Sequence, residues 1–129
     1  MIVDASAVLA LLLNEEDAAN FARALEAADV LRMSVVNYVE AAVRIDGFKS
    51  QESSRDFDEF MRVTGIELHG VTSGLAEAAR LAYRRYGRRN HAASLNLGDC
   101  FAYALAKATG EPLLFKGADF AKTDVKSAL

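Results

Sequence analysis

The sequence predicts an α/β domain of three layers (α/β/α), with a central, mostly parallel sheet flanked by helices on both faces. Three observations predict it. The short runs Met1-Ile2-Val3 and Leu113-Leu114-Phe115 are apolar throughout, as strands buried on both faces must be. Longer segments with apolar residues at helical spacing lie between them. A chain of 129 residues that is 52% hydrophobic can bury one core without a disulfide or metal staple. No repeat, low-complexity block or Pro/Gly-rich linker divides it, so residues 1–129 read as a single domain.

The elements follow in order. Met1-Ile2-Val3 is the first strand, ended by Asp4. Residues 7–13 form an apolar helix that Asp4 or Ser6 caps. Asn14-Glu15-Glu16-Asp17 sets a cap and three acids ahead of a second helix, which carries Ala18, Phe21, Ala22 and Leu25 and ends near residue 29. Residues 31–33 are a short strand, and Ser34 caps a third helix that Gly47 stops. Ser53 or Ser54 opens a fourth helix through Phe57, Phe60 and Met61, ended by Gly65. Residues 66–68 alternate and read as a strand. Ser73 begins a fifth helix through Ala76, Ala79 and Tyr83, ended by Gly87. Asn96 caps a sixth over residues 97–109, with Gly110 as its stop. Residues 112–115 are a buried strand, and a last one is expected near Val125.

Composition narrows the function classes. The longest apolar run, residues 7–13, is far short of a membrane span. No basic leader precedes the first strand, and a lone cysteine suits a reducing compartment, so a cytoplasmic protein is expected. The net charge of −3 disfavours a general nucleic-acid coat. That count treats every carboxylate alike, including any that work against a bound metal.

Several acids stand where the pattern wants something else. Asp4 ends the first strand, where it serves equally as a helix cap. Glu40 shares a helix face with Val36 and Val43, and an exposed glutamate beside a wide apolar stripe is the plain alternative. Asp99 falls in the first turn of the sixth helix, a common place for an acid, with Ala102 and Ala106 on its face. Asp119 lies just past the 112–115 strand with Asp124 close behind, and turn chemistry accounts for either alone. In an α/β sheet, ligands bind beyond the carboxyl ends of the strands. Acids gathered there repel one another, and keeping them ionised takes a cation. Oxygen-only ligands select Mg²⁺ or Mn²⁺ over zinc. His69 and His91 are far apart, and Cys100 has no cysteine partner, so there is no zinc motif. Cys100 reads as a small buried hydrophobe.

Met1-Ile2-Val3-Asp4-Ala5-Ser6-Ala7, Glu40 on its helix, Leu97-Gly98-Asp99-Cys100 and the stretch Leu113-Leu114-Phe115-Lys116-Gly117-Ala118-Asp119-Phe120 together resemble a PIN-domain ribonuclease. More narrowly, the chain resembles a VapC-type toxin of a type II toxin–antitoxin system, over its whole length. The resemblance implies a Mg²⁺-dependent endoribonuclease, with Mn²⁺ as an alternative ion. Asp4 and Asp99 match its metal-binding acids, Glu40 matches its helix-borne acid, and Asp119 is assigned the fourth role. Many relatives carry Thr-x-Asp or Thr-x-Asn after that strand, where this chain has Phe115-Lys116-Gly117, so Asp124 competes for the fourth place. Ser6 matches a small hydroxyl residue near the metal. The resemblance also implies a homodimer, a VapB-type antitoxin as partner, and products with a 5′-phosphate and a 3′-hydroxyl.

Substrate grip needs positive charge away from the acids. Arg84, Arg85, Arg88 and Arg89, interleaved with Tyr83 and Tyr86, offer phosphate contacts and stacking surfaces. A solvated basic helix end is the alternative. Two other functions compete with the ribonuclease: a catalytically silent binding module of the same fold, and a receiver-type phosphoacceptor domain. The second needs an acid pair after the first strand and an aspartate ending a central strand.

Overall fold

The computed structural model describes residues 1–129. Its strands are β1 (Ile2–Val3), β2 (Arg32–Ser34), β3 (Glu67–His69) and β4 (Leu113–Leu114). They pair in parallel in the order β3-β2-β1-β4. The six helices are α1 (Ala5–Leu12), α2 (Ala18–Ala27), α3 (Val35–Asp46), α4 (Gln51–Thr64), α5 (Ser73–Tyr86) and α6 (Leu97–Thr109). The expected three-layer α/β architecture is present, and the sheet is wholly parallel.

Alternation along the buried strands builds two cores. Ile2 and Val3 are both fully buried, yet they join different clusters. Ile2 and Leu113 pack with Ala79, Tyr86 and Leu105 from α5 and α6. Val3, Met33 and Leu114 pack with Val8, Phe21, Ile45 and Phe57 from α1 to α4. Successive side chains of a strand point to opposite faces, so each face gets its own helical layer. At the other end of the strands, Arg32 Nη1 meets Glu111 Oε1 at 2.6 Å and ties β2 to the approach to β4.

Local chemistry sets most boundaries. Asp4 is the cap of α1, since its Oδ2 accepts the Ser6 N–H at 2.9 Å. Ser34 caps α3, and Asn96 caps α6, which ends at Gly110 with φ 69°. Other expectations shift. α4 begins at Gln51 because Ser50 Oγ, and neither Ser53 nor Ser54, accepts the capping bond. Thr72, one residue before Ser73, caps α5. Asp17 precedes α2 but makes no capping bond, because its carboxylate is engaged by Lys116. The strand expected near Val125 is a single bridge, Leu113 to Ser127, since the two-residue β4 offers the tail so short an edge. The apolar stripe shared by Glu40 and Val43 is not the core face of α3. Val43 is 63% exposed, and the buried face is Asn37, Ala41 and Ile45.

The strand order positions the site. From β1 the chain runs outward to β2 and β3, then returns to place β4 on the other side of β1. The order reverses between β1 and β4, and the crevice beyond their carboxyl ends is the natural ligand position.

Candidate active site at the strand ends

Four elements converge on that crevice. β1 runs into Asp4, α3 carries Glu40 and Arg44, α6 opens with Asn96 and Asp99, and β4 exits through Lys116 toward Asp119. These residues and Ser6 line one cleft of about 280 Å³.

Asp4 is 3% exposed. Its Oδ2 accepts hydrogen bonds from the Ser6 N–H at 2.9 Å and the Ser6 hydroxyl at 2.5 Å. Ser6 Oγ in turn accepts the Lys116 N–H at 3.0 Å, which fastens the exit of β4 to Asp4. Burial pushes the Asp4 carboxyl above its ordinary range, the Ser6 bonds oppose this, and the Glu40 charge adds to it.

Glu40 is partly buried, and its carboxyl is also pushed up, first by burial and then by Asp99. Its carboxylate lies over Gly98, where an added Cβ would come within 2.3 Å of Oε2. Asp99 closes a capping box: its Oδ2 accepts the Asn96 N–H and Asn96 Oδ1 accepts the Asp99 N–H, both at 2.9 Å. Burial lifts the Asp99 carboxyl from 3.8 to about 6, the Asp4 and Asp119 charges add to this, and the backbone bond and Arg88 oppose it. Asp119 is exposed at the start of a 3-10 turn, Phe120–Lys122, and its side chain makes no capping bond.

None of these four carboxylates belongs to an ion pair. Lys116 lines the cleft, yet its Nζ is turned to Glu15 and Asp17 of the α1–α2 turn. Arg44 lines it with no ion-pair partner at all. The cleft thus gathers hard oxygen donors that no cation pairs directly, a donor set of the kind that suits a divalent cation such as Mg²⁺ or Mn²⁺. No three of these acids are gathered closely enough to form a complete cage for an ion on their own.

A family model described as PIN domain matches residues 1–126. The chain belongs to the PIN-domain family. Ribonuclease VapC30 of Mycobacterium tuberculosis is 44% identical over 125 residues, covering 97% of this chain and 95% of that protein. Among solved structures, Mycobacterium tuberculosis VapC20, described as a Sarcin-Ricin loop cleaving toxin, superposes with a TM-score of 0.78 at 17% identity, covering 96% of this chain and 95% of that one. A toxin–antitoxin complex from Klebsiella pneumoniae gives 0.71 at 18%, covering 95% and 92%. At those identities the two structures speak to the fold.

Within this PIN domain Asp4, Ser6, Glu40, Asp99 and Asp119 share one cleft, while Asp124 lies elsewhere. Asp124 accepts the Tyr103 hydroxyl at 2.6 Å and pairs with Lys107 at 3.3 Å and Arg85 at 3.7 Å. The tyrosine bond and the two cations hold its carboxyl below the usual range. Arg85 is further occupied over the Tyr86 ring at 4.7 Å. Of the four arginines, Arg88 is the one whose charge is felt at Asp99. Arg84 and Arg89 are exposed and make no ion pair. Cys100 is buried, its thiol pushed up to about 11 by burial. The sequence reading missed Asn37, Arg44, Asn96 as a cleft residue, and Gly98. Asn37 left a signal: a polar residue one turn before Glu40, on the face that Ala41 and Ile45 bury.

Proposed function

We propose that this PIN domain is the toxin of a type II toxin–antitoxin system and acts as a metal-dependent endoribonuclease. The observation that carries the reading is the cleft at the β1–β4 reversal, where Asp4, Glu40, Asp99 and Asp119 arrive from four elements, none of them in an ion pair. Its VapC relatives, named as ribonucleases, support the activity. Asp4 and Asp99 would hold the ion, with Asp119 closing from the exposed side. When bound, a divalent ion supplies charge to the phosphate oxygens and acidifies a water. Ser6 keeps Asp4 turned toward the cleft through both its N–H and its hydroxyl. Glu40, its proton affinity raised, accepts the proton of the attacking water. Water then adds to phosphorus as the bond to the 3′-oxygen breaks and that oxygen takes a proton from solvent, leaving a 5′-phosphate and a 3′-hydroxyl. Arg44 at the cleft and Arg88 near Asp99 take the flanking phosphates.

An antitoxin partner belongs to the same reading, supported by the solved toxin–antitoxin complex of like fold. So does self-association, for which Leu81 (59% exposed) and Leu97 (73% exposed) offer apolar surface. No helix is long and apolar enough to cross a membrane. The phosphoacceptor alternative loses its footing, since β2 ends in Ser34 and β3 in His69, with no aspartate at either.

Induced expression in a bacterial host tests the function. The wild type should arrest growth and leave cleaved RNA with 5′-phosphate ends, and Asp99→Asn should relieve both. Arrest that persists undiminished in Asp99→Asn would refute the assignment.

A further inference from the structure

Oδ1 of Asn37 is the one buried side-chain nitrogen or oxygen in this protein without a hydrogen-bond partner. Asn37 is 0% exposed. Its amide nitrogen faces three oxygens: Gly98 O at 3.0 Å, Glu40 Oε2 at 3.3 Å and Asp4 Oδ1 at 3.4 Å. Turning the amide over would set Oδ1 against the same three acceptors. The orientation is therefore forced, with two hydrogens shared among three acceptors and Oδ1 left bare. Native proteins rarely leave a buried polar group unsatisfied, and such a group calls for a reason.

The charges around it supply one. The Asp4 and Glu40 carboxylates both come within hydrogen-bond reach of the one amide nitrogen, so two like charges meet at Asn37. A lysine or arginine at position 37 would neutralise them but compete with any cation for the same oxygens. An apolar side chain would leave the carboxylates unsupported. A neutral amide donates to both and adds no charge. We propose that Asn37 is the positioning residue that holds Asp4, as a ligand of the divalent cation, in register with Glu40, as the proton acceptor, and through Gly98 O fastens both to the turn of α6 that carries Asp99. The inference rests on the divalent-ion reading given above.

Calorimetric titration of Mn²⁺ into the metal-free protein tests it without RNA, beside urea unfolding in chelator. The variants are Asn37→Leu, branched like asparagine but larger, and Asn37→Ala, which decides alone if leucine is not accommodated. Removing a residue that orients metal ligands typically weakens affinity 10- to 100-fold. Both variants should bind Mn²⁺ at least about tenfold more weakly than wild type. The urea midpoint reports packing separately, because losing the bare oxygen and losing the donated hydrogen bonds act in opposite directions on stability. A packing role alone would move the midpoint and leave affinity where it was. Wild-type affinity in either folded variant overturns the inference. Wild-type protein that takes up no Mn²⁺ overturns the ion reading itself, and the inference with it.

Discussion

Gly98 separates stability from activity at a single residue. A methyl group there meets the Glu40 carboxylate, the far end of a side chain that can move aside. The helical backbone favours alanine over glycine by roughly 1 kcal/mol. Gly98→Ala should therefore fold with an unchanged or higher Tm and cleave RNA at least about tenfold more slowly, because Glu40 is displaced. Full activity would show that the Glu40 position is unimportant. Asp99 makes a second prediction at this scale. Its carboxyl takes up a proton at about pH 6 in the folded protein and near 3.8 in the unfolded chain. Between those values the folded state binds the extra proton, so stability falls as pH rises through the window. Thermal unfolding in chelator should show wild type losing stability relative to Asp99→Asn from about pH 4 to 6, then levelling off. Saturating Mg²⁺ should reverse that loss above pH 6. No relative change across the window would contradict the burial argument. The sequence marked Asp99 as a candidate, but not its capping partner's place in the cleft, because that depends on where α6 docks.

Element boundaries were legible where the capping chemistry is local and obscured where a distant residue intervenes. α6 runs from the Asn96 cap to Gly110 as its sequence expects, since both ends are fixed within a few residues. α2 lacks the side-chain cap its four polar leading residues suggest, because Lys116 claims Asp17 from the far end of the chain. The same limit hid the role of Asp124. Its spacing from β4 matched a site acid, yet Tyr103, one face of α6 away, captures it. Asp124→Asn should leave cleavage within about twofold while weakening the tail's attachment, a loss of about 1 kcal/mol in urea unfolding. Asp119→Asn should do the opposite, with cleavage reduced and the urea midpoint nearly unchanged. Equal losses of activity in the two variants would return Asp124 to the site.

At the scale of the whole molecule, two apolar strand runs and helical periodicity were enough to give a three-layer α/β domain. The strand order was not legible, because pairing between segments far apart in sequence leaves no local mark. It is that order, with its reversal between β1 and β4, that gathers Asp4, Glu40, Asp99 and Asp119. The net charge of −3 takes on a different meaning once these four are counted as a cation site, for the remainder is slightly positive and Arg88 and Arg44 lie beside the cleft. The most direct measurement is cleavage of purified RNA by metal-stripped protein, with and without added Mg²⁺, in wild type and Asp4→Asn. Wild type should cleave only when the ion is present, and Asp4→Asn should lose about 10²-fold or more in rate. Cleavage that survives excess chelator, or an Asp4→Asn variant as active as wild type, would contradict the assignment of the cleft.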